Sequence, residues 1–317
     1  MQTVGLIGLG NAGRPVGERI LAKGYSLAVY DLDLAAMEGL VQQGAQKANS
    51  AREAVRDITI IVLPSGVEVR QAVFGERGAF EALRSGQTLI DLSGTEPDCA
   101  REMEQRLREK QTAFLGGTIH AGGAPAVVIP NGQFTIAVGG NRETIDSCIG
   151  LLRNLAQTII CLPEPWLPKA FKIAVIMYST VNSIATAEIC SWLKAQGVDP
   201  KLFRKLLQTT GSHASALRLE EFMKRNNNNG GALSNSYKDL RQALQVAAEL
   251  EIPMPLLSMA NQIQEMGRAS GLTRLNSSAA MGRLYEMITA LDLSDAILSS
   301  DKRPGEIREP RVVYLED

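Results

Sequence analysis

Strand-like runs fill the first half of the chain and stop at Pro168. "TVGLIG", "SLAVYD", "ITIIVLP", "QTLIDLS", "FTIAVGG" and "QTIICLP" are short, β-branched and separated by amphipathic stretches. Apolar runs of this kind are strands buried on both faces, so the pattern predicts βαβ units around a buried parallel sheet. Beyond Pro168 the period changes, and helices are expected over 168–196, about 199–209, 214–225, 234–250, 255–270 and 275–291. "RNNNNGG" (Arg225 to Gly231) reads as a surface loop between them. The expected organisation is an α/β domain over 1–163, an all-helical domain over 164–295, and a charged tail or arm over 296–317 containing Pro304 and Pro310. One long helix from Pro168 joins the two domains.

A length of 317 residues suits two domains, each with its own core. The hydrophobic share of 45% and formal net charge of -1 argue against nucleic acid or an acidic membrane as partner. Cys99, Cys148, Cys161 and Cys190 form no CxxC pair, which points to reduced thiols, no metal site and a cytoplasmic protein. The N-terminus enters an apolar strand without a basic leader, so no signal peptide is expected. No membrane span is expected either, because Ser179, Thr180, Asn182 and Ser183 interrupt the apolar helix after Pro168.

"VGLIGLGNAGRPVGERI" places Gly8, Gly10 and Gly13 in the G-x-G-x-x-G spacing between a strand and a helix, and the next strand ends in Asp31. That context makes the first domain a Rossmann-type dinucleotide site. Gly8 permits the tight turn, Gly10 the approach of a pyrophosphate, and Gly13 close packing of the helix, whose N-terminus favours phosphate. A carboxylate at Asp31 accepts ribose hydroxyls and repels a 2′-phosphate. With Leu32 and Asp33 following it, rather than an arginine, NAD is expected over NADP.

The helix after Pro168 begins with two lysines, Lys169 and Lys172. A lysine at the mouth of an apolar helix either snorkels to water or serves proton transfer, and local pattern does not choose between them. A resemblance does. "GLIGLGNAGRPVGERILAKGYSLAVYD", "VLPSGVEVRQAVFG", "DLSGTEP" and "YKDLRQAL" resemble, in order, four motifs of the β-hydroxyacid dehydrogenase family, which includes 3-hydroxyisobutyrate dehydrogenase and tartronate semialdehyde reductase. The likeness runs from about Val4 to Ile297, with Ala12 where methionine is usual and Gly94 where threonine is. It implies that Asn11, Ala12, Leu63, Pro64, Ser65, Val69 and Ser93 join the glycines and Asp31 around the cofactor, with Lys238 near the nicotinamide. The family's lysine motif is degraded here, since Trp166 and Pro168 stand at its glycine positions. Counting back without a gap from "AEICSWLKAQGVDP", which is similar to the segment downstream of that lysine, selects Lys172. Lys172, Ser179 and Ser183, at i, i+7 and i+11, also mark one polar helix face, as a lined cleft would need.

The implied reaction is hydride transfer between nicotinamide and the hydroxyl-bearing carbon of a β-hydroxyacid or related alcohol, with Lys172 as general acid or base. The substrate side departs from the family. Ala121 replaces a serine beside Gly122 and Gly123, Ile176 replaces the helix asparagine, and Ser212 and His213 occupy the loop expected to face the substrate. These changes imply a substrate less polar or bulkier than a three-carbon hydroxyacid; the other reading is a small carboxylate still held by the Gly122 and Gly123 amides. His120 falls beside the nicotinamide and is a second candidate for proton transfer, expected to control a limb of the pH–rate profile between about 6 and 8. Alternative readings are an imine reductase of the same fold and a non-catalytic NAD-binding protein. The apolar surface of the helical half, with the resemblance, implies a homodimer or homotetramer.

Overall fold

The computed structural model describes residues 2–121, 125–210, 232–293 and 311–314. Gly122, Gly123, Ser212, His213 and the expected helix over 214–225 lie outside them. The chain divides into two compact units, Met1–Lys172 with Ile307–Asp317, and Ile173–Glu306.

The first unit is built on a nine-stranded sheet in the order β3-β2-β1-β4-β5-β6-β7-β8-β9. Its strands are β1 (Val4–Ile7), β2 (Leu27–Tyr30), β3 (Gln46–Lys47), β4 (Ile58–Ile61), β5 (Thr88–Asp91), β6 (Ala113–His120), β7 (Thr135–Gly139), β8 (Thr158–Leu162) and β9 (Arg311–Tyr314). Neighbouring apolar residues point to opposite faces of a strand. Thus Leu6, Ile60 and Ile90 enter one core cluster while Ile7, Ile61 and Leu89 enter the other. Burial on both faces is the physical reason these strands read as unbroken apolar runs. Helices α1 (Gly13–Ala22), α2 (Leu34–Gln42), α3 (Gly66–Phe74), α4 (Pro97–Arg108), α5 (Pro125–Val128) and α6 (Arg142–Leu155) complete this unit.

The sheet is mixed rather than wholly parallel, because β6 and β7 pair antiparallel, with Gly116 opposite Gly139. Strand β6 escapes a reading by propensity because Gly116 and Gly117 interrupt its apolar run. The glycines answer a packing demand. A Cβ on Gly116 would overlap the Pro165 carbonyl, and one on Gly139 the Glu164 carbonyl, so the segment entering the long helix lies directly on the sheet. In the region read as a tail or arm, residues 311–314 pair parallel with β8, Thr158 opposite Arg311.

The second unit contains most of α7 (Leu167–Ala195), with α8 (Pro200–Thr209), α9 (Leu233–Glu249), α10 (Pro255–Ala269) and α11 (Ser277–Thr289). Ile184, Ala187 and Cys190 of α7 pack with Leu240 of α9 and Leu284 of α11. Thr180 Oγ1 meets Ser236 Oγ at 3.1 Å, and Ser183 Oγ meets Ser278 Oγ at 3.0 Å. Ser183 therefore belongs to the bundle interior, not to a polar cleft face, which corrects the expected stripe. Helix α7 also corrects the expectation that no segment has the apolar length of a membrane span. Within its 29 residues, one 18-residue window reaches a mean hydropathy of 1.4, which meets a span by length and composition only. Several of its polar side chains bond within the helix, as when Ser183 Oγ donates to Ser179 O at 2.9 Å and Asn182 Nδ2 to Tyr178 O at 2.6 Å. Its outer face leaves Val175, Tyr178, Ile189 and Trp192 exposed, the surface that the sequence reading assigns to a second copy of the chain. All four cysteines are free and buried, and burial pushes the thiols of Cys99 and Cys190 up to about 12, so they are inert.

Candidate active site

The order β3-β2-β1-β4 puts a topological switch between β1 and β4, and open α/β sheets bind their ligands outside the carboxyl ends of the strands at such a point. The glycine loop after β1 has the three expected properties. Gly8 has φ +94°, and a Cβ there would sit 2.7 Å from Leu63 Cδ2. A Cβ on Gly10 would meet nothing within 4 Å, which leaves an open cradle before α1. Gly13, the first residue of α1, would overlap the Gly8 carbonyl if it carried a side chain. At the end of β2, Asp31 Oδ2 accepts from Leu9 N at 2.6 Å and Oδ1 from Asp33 N at 2.8 Å. The carboxylate thus braces the loop while each oxygen keeps a lone pair for a further donor. Leu32 is 85% exposed, and Asp33 caps α2 by accepting from Ala35 N at 3.0 Å. The open cradle and the braced acid fit a dinucleotide.

Across the switch, Leu63 N donates to Ser93 Oγ at 2.9 Å, which links the loops after β4 and β5. Ser65 caps α3 by accepting from Val67 N at 3.2 Å and donates to Glu68. Asn11 is exposed and Ala12 half-buried in the glycine loop. Val69, expected at the cofactor, is fully buried in the core with Leu89 and Cys99.

The two lysines have different surroundings. Lys169 is 0% exposed, and its Nζ donates to Asp91 Oδ2 at 2.8 Å, Asp91 O at 3.0 Å, Ser93 O at 2.9 Å and Gly117 O at 2.8 Å. An ammonium has three protons, so all are committed. Removing either partner of such a pair costs about 3–5 kcal/mol because a buried charge is left uncompensated. Lys169 is a structural cation. Lys172, one turn later, is half-buried, and its Nζ lies over Gly94, where a Cβ would overlap it. Gly94 has no left-handed φ, so the backbone would tolerate a side chain, and the lysine alone takes the space.

His120 ends β6 at the same edge. Its Nε2 lies 2.9 Å from Thr118 Oγ1, which in turn donates to Pro168 O at 3.3 Å. In the tautomer in which the hydroxyl proton goes to Pro168 O, Nε2 carries the ring proton and Nδ1 is the acceptor. Burial first, and then the Lys172 charge, holds the imidazole below its ordinary value near 6.5. This corrects the expected window of 6 to 8, since both causes penalise the imidazolium. Ala121, next to His120, packs against the core of the first unit. Ile176 and Lys238 belong to the second unit, where Lys238 Nζ lies 3.4 Å from Asp239 Oδ1. Asp91 and Thr118 did not stand out in the sequence. Asp91 was marked only as the acid that opens "DLSGTEP", with no role of its own implied.

Comparison with known proteins agrees with this geometry. Residues 3–162 match the NAD binding domain of 6-phosphogluconate dehydrogenase, and residues 168–284 match the NAD-binding domain of NADP-dependent 3-hydroxyisobutyrate dehydrogenase. The chain is 28% identical over 298 residues to 2-(hydroxymethyl)glutarate dehydrogenase of Eubacterium barkeri, covering 92% of this chain and 97% of that one. In fold it is similar to a 3-hydroxyisobutyrate dehydrogenase of Mycobacterium tuberculosis, with TM-score 0.79, 23% identity, and coverage of 90% and 99% of the two chains. It is also similar to the V8 variant of an imine reductase of Myxococcus stipitatus in complex with NAD+, with TM-score 0.59, 20% identity, and coverage of 89% and 99%. A dinucleotide cradle at the switch point, a lysine at the head of the long helix and matches across both units lead to one assignment: the chain belongs to the β-hydroxyacid dehydrogenase family of NAD(P)-dependent oxidoreductases acting on CH–OH groups.

Proposed function

We propose that the protein oxidises the hydroxyl-bearing carbon of a β-hydroxyacid or a less polar relative of one, or reduces the corresponding carbonyl, with Lys172 as general acid–base. The observation that carries this is Lys172 Nζ seated over Gly94, in the unit that also holds the glycine cradle and His120. Bound NAD supplies the hydride acceptor or donor. The chain's own task is the proton. An alkoxide is too basic to persist at neutral pH, so a group must take the hydroxyl proton as the carbon is oxidised and return it in the reverse direction. Lys172 does this at Nζ, and Gly94 leaves room for it. Lys169 is excluded from the role because every proton it carries is held by a buried oxygen. Ala121 and Ile176, standing where the family has serine and asparagine, favour a substrate with fewer polar groups to satisfy. Turnover of NAD with 3-hydroxyisobutyrate, 2-(hydroxymethyl)glutarate and uncharged primary alcohols tests the reading. Reduction of cyclic imines with no alcohol oxidised would instead favour the imine reductase alternative, and no hydride exchange at all a binding protein.

NAD is the preferred cofactor on this reading, because Asp31 offers a carboxylate where a 2′-phosphate would need a cation, with Leu32 and Asp33 beside it. Fluorescence titration is expected to give tighter binding of NADH than of NADPH, and Asp31→Ser should narrow the difference. Equal or tighter binding of NADPH by the unaltered protein refutes the preference.

His120 acts as a neutral partner of Lys172, accepting a proton or hydrogen bond at Nδ1. Since its imidazole titrates below the ordinary value, the neutral form persists at neutral pH and is lost only as pH falls through that depressed value. His120→Ala should lower kcat/KM about ten-fold or more and flatten the acidic limb below pH ~6.5. NADH affinity should stay unchanged. A profile identical to that of the unaltered enzyme would return His120 to the scaffold.

A further inference from the structure

Lys169 takes no part in the chemistry above, yet its burial is costly, since buried ion pairs often return less than their desolvation takes. Its contacts suggest why it is there. Asp91 Oδ1 accepts from Ser93 N at 2.9 Å, and Oδ2 accepts from Lys169 at 2.8 Å and from Thr95 Oγ1 at 3.4 Å. The same ammonium holds Ser93 O and Gly117 O, so one charge gathers the carboxyl ends of β5 and β6 onto the first turn of α7. Ser93 Oγ extends the clasp to Leu63 of the β4 loop. Two further contacts fix the same turn: Thr118 Oγ1 donates to Pro168 O at 3.3 Å, and Arg101 stacks 4.2 Å from the ring centre of Trp166. Trp166 and Pro168 stand where the family's motif has glycines, so backbone freedom there has given way to side-chain anchors.

We propose that Lys169 is a positioning residue for Lys172: by holding Ser93 O it sets the Ser93–Gly94 peptide, the surface over which Lys172 Nζ is seated. The inference rests on the proposed role of Lys172. Lys169 and Lys172 share one helical turn, and Ser93 and Gly94 share one peptide plane. Releasing the first contact therefore lets the second drift. A displacement near 1 Å at a reacting group is enough to cost about 100-fold in rate, so the seat need not collapse for its loss to register.

The test uses the full-length enzyme with Lys169→Met/Asp91→Asn, which removes both charges together, and with the wholly apolar pair Lys169→Met/Asp91→Leu in case the first double variant does not fold. Circular dichroism and NADH titration establish that the fold and cofactor site survive. Turnover of 3-hydroxyisobutyrate and 2-(hydroxymethyl)glutarate is then split into kcat and KM. Competitive acetylation with acetic anhydride, read by mass spectrometry, compares Lys172 with exposed Lys23. The expected result is a kcat lowered about ten-fold or more with KM within about three-fold. Lys172 reactivity should also change at least about three-fold relative to Lys23, since its seat is altered. A folded variant with unchanged kcat overturns the proposal. If the unaltered protein oxidises neither hydroxyacid, the proposed function has failed on these substrates, and the acetylation comparison alone decides, with unchanged Lys172 reactivity counting against positioning.

Discussion

Lys172→Met will lower kcat/KM by about 10²- to 10⁴-fold, the range lost when a positioned acid–base group is removed. Methionine keeps the length and apolar stem of lysine but has no proton to exchange, so the loss reports chemistry rather than packing. The fold should be indifferent. Lys172 is half-buried, and the strongly bonded ammonium of this helix belongs to Lys169. NADH affinity should also hold, because the cradle is built by Gly8, Gly10, Gly13 and Asp31 from other strands. Steady-state kinetics beside a fluorescence titration separates the two quantities. Retention of more than about a tenth of the rate would refute the assignment, because such a change is too small for a lost general acid or base.

Gly94→Thr restores the residue usual in the family and is nonetheless expected to lower kcat by about 100-fold. Here a Cβ at that position overlaps Lys172 Nζ, the mobile end of a long side chain, so the lysine yields and the backbone does not. The melting temperature should move by no more than about 2–4 °C, equivalent to ~1 kcal/mol in a protein of this order of size. Gly94→Ala should act in the same direction with a smaller loss. A threonine variant with normal kcat would mean that the seat over Gly94 is not where Lys172 works.

Those two positions also mark where reading the chain succeeded and where it stopped. Apolar runs against helical periods located the strands and the change at Pro168, because burial on two faces leaves a local trace. The glycine cradle was legible for the same reason: each glycine answers a steric need within a few residues or across one switch point. Strand β6 was not, because Gly116 serves a long-range approach by Pro165, as Gly139 on the neighbouring strand serves one by Glu164. The pairing of Lys169 with Asp91 joins residues 78 positions apart, and no periodicity encodes it. Alignment with a family chose Lys172, but only geometry explains why the other lysine is unsuitable. His120 closes β6 rather than lying on a loop, and its titration range depends on burial and a neighbouring charge.

The ninth strand has a consequence for biosynthesis. Residues 311–314 pair with β8 although Ile173–Glu306 form the other compact unit, so the helical unit is, in chain order, an insertion between the last two strands of one sheet. A ribosome releases β8 long before the strand that covers its edge. Throughout translation of the helices, the N–H and C=O groups along that side of Thr158–Leu162 lack their final partner. Completion of the sheet therefore waits until the helical unit has been synthesised. A nascent chain halted after the helical unit should expose the β8 edge to proteases and to other strands, in a way that the finished protein does not.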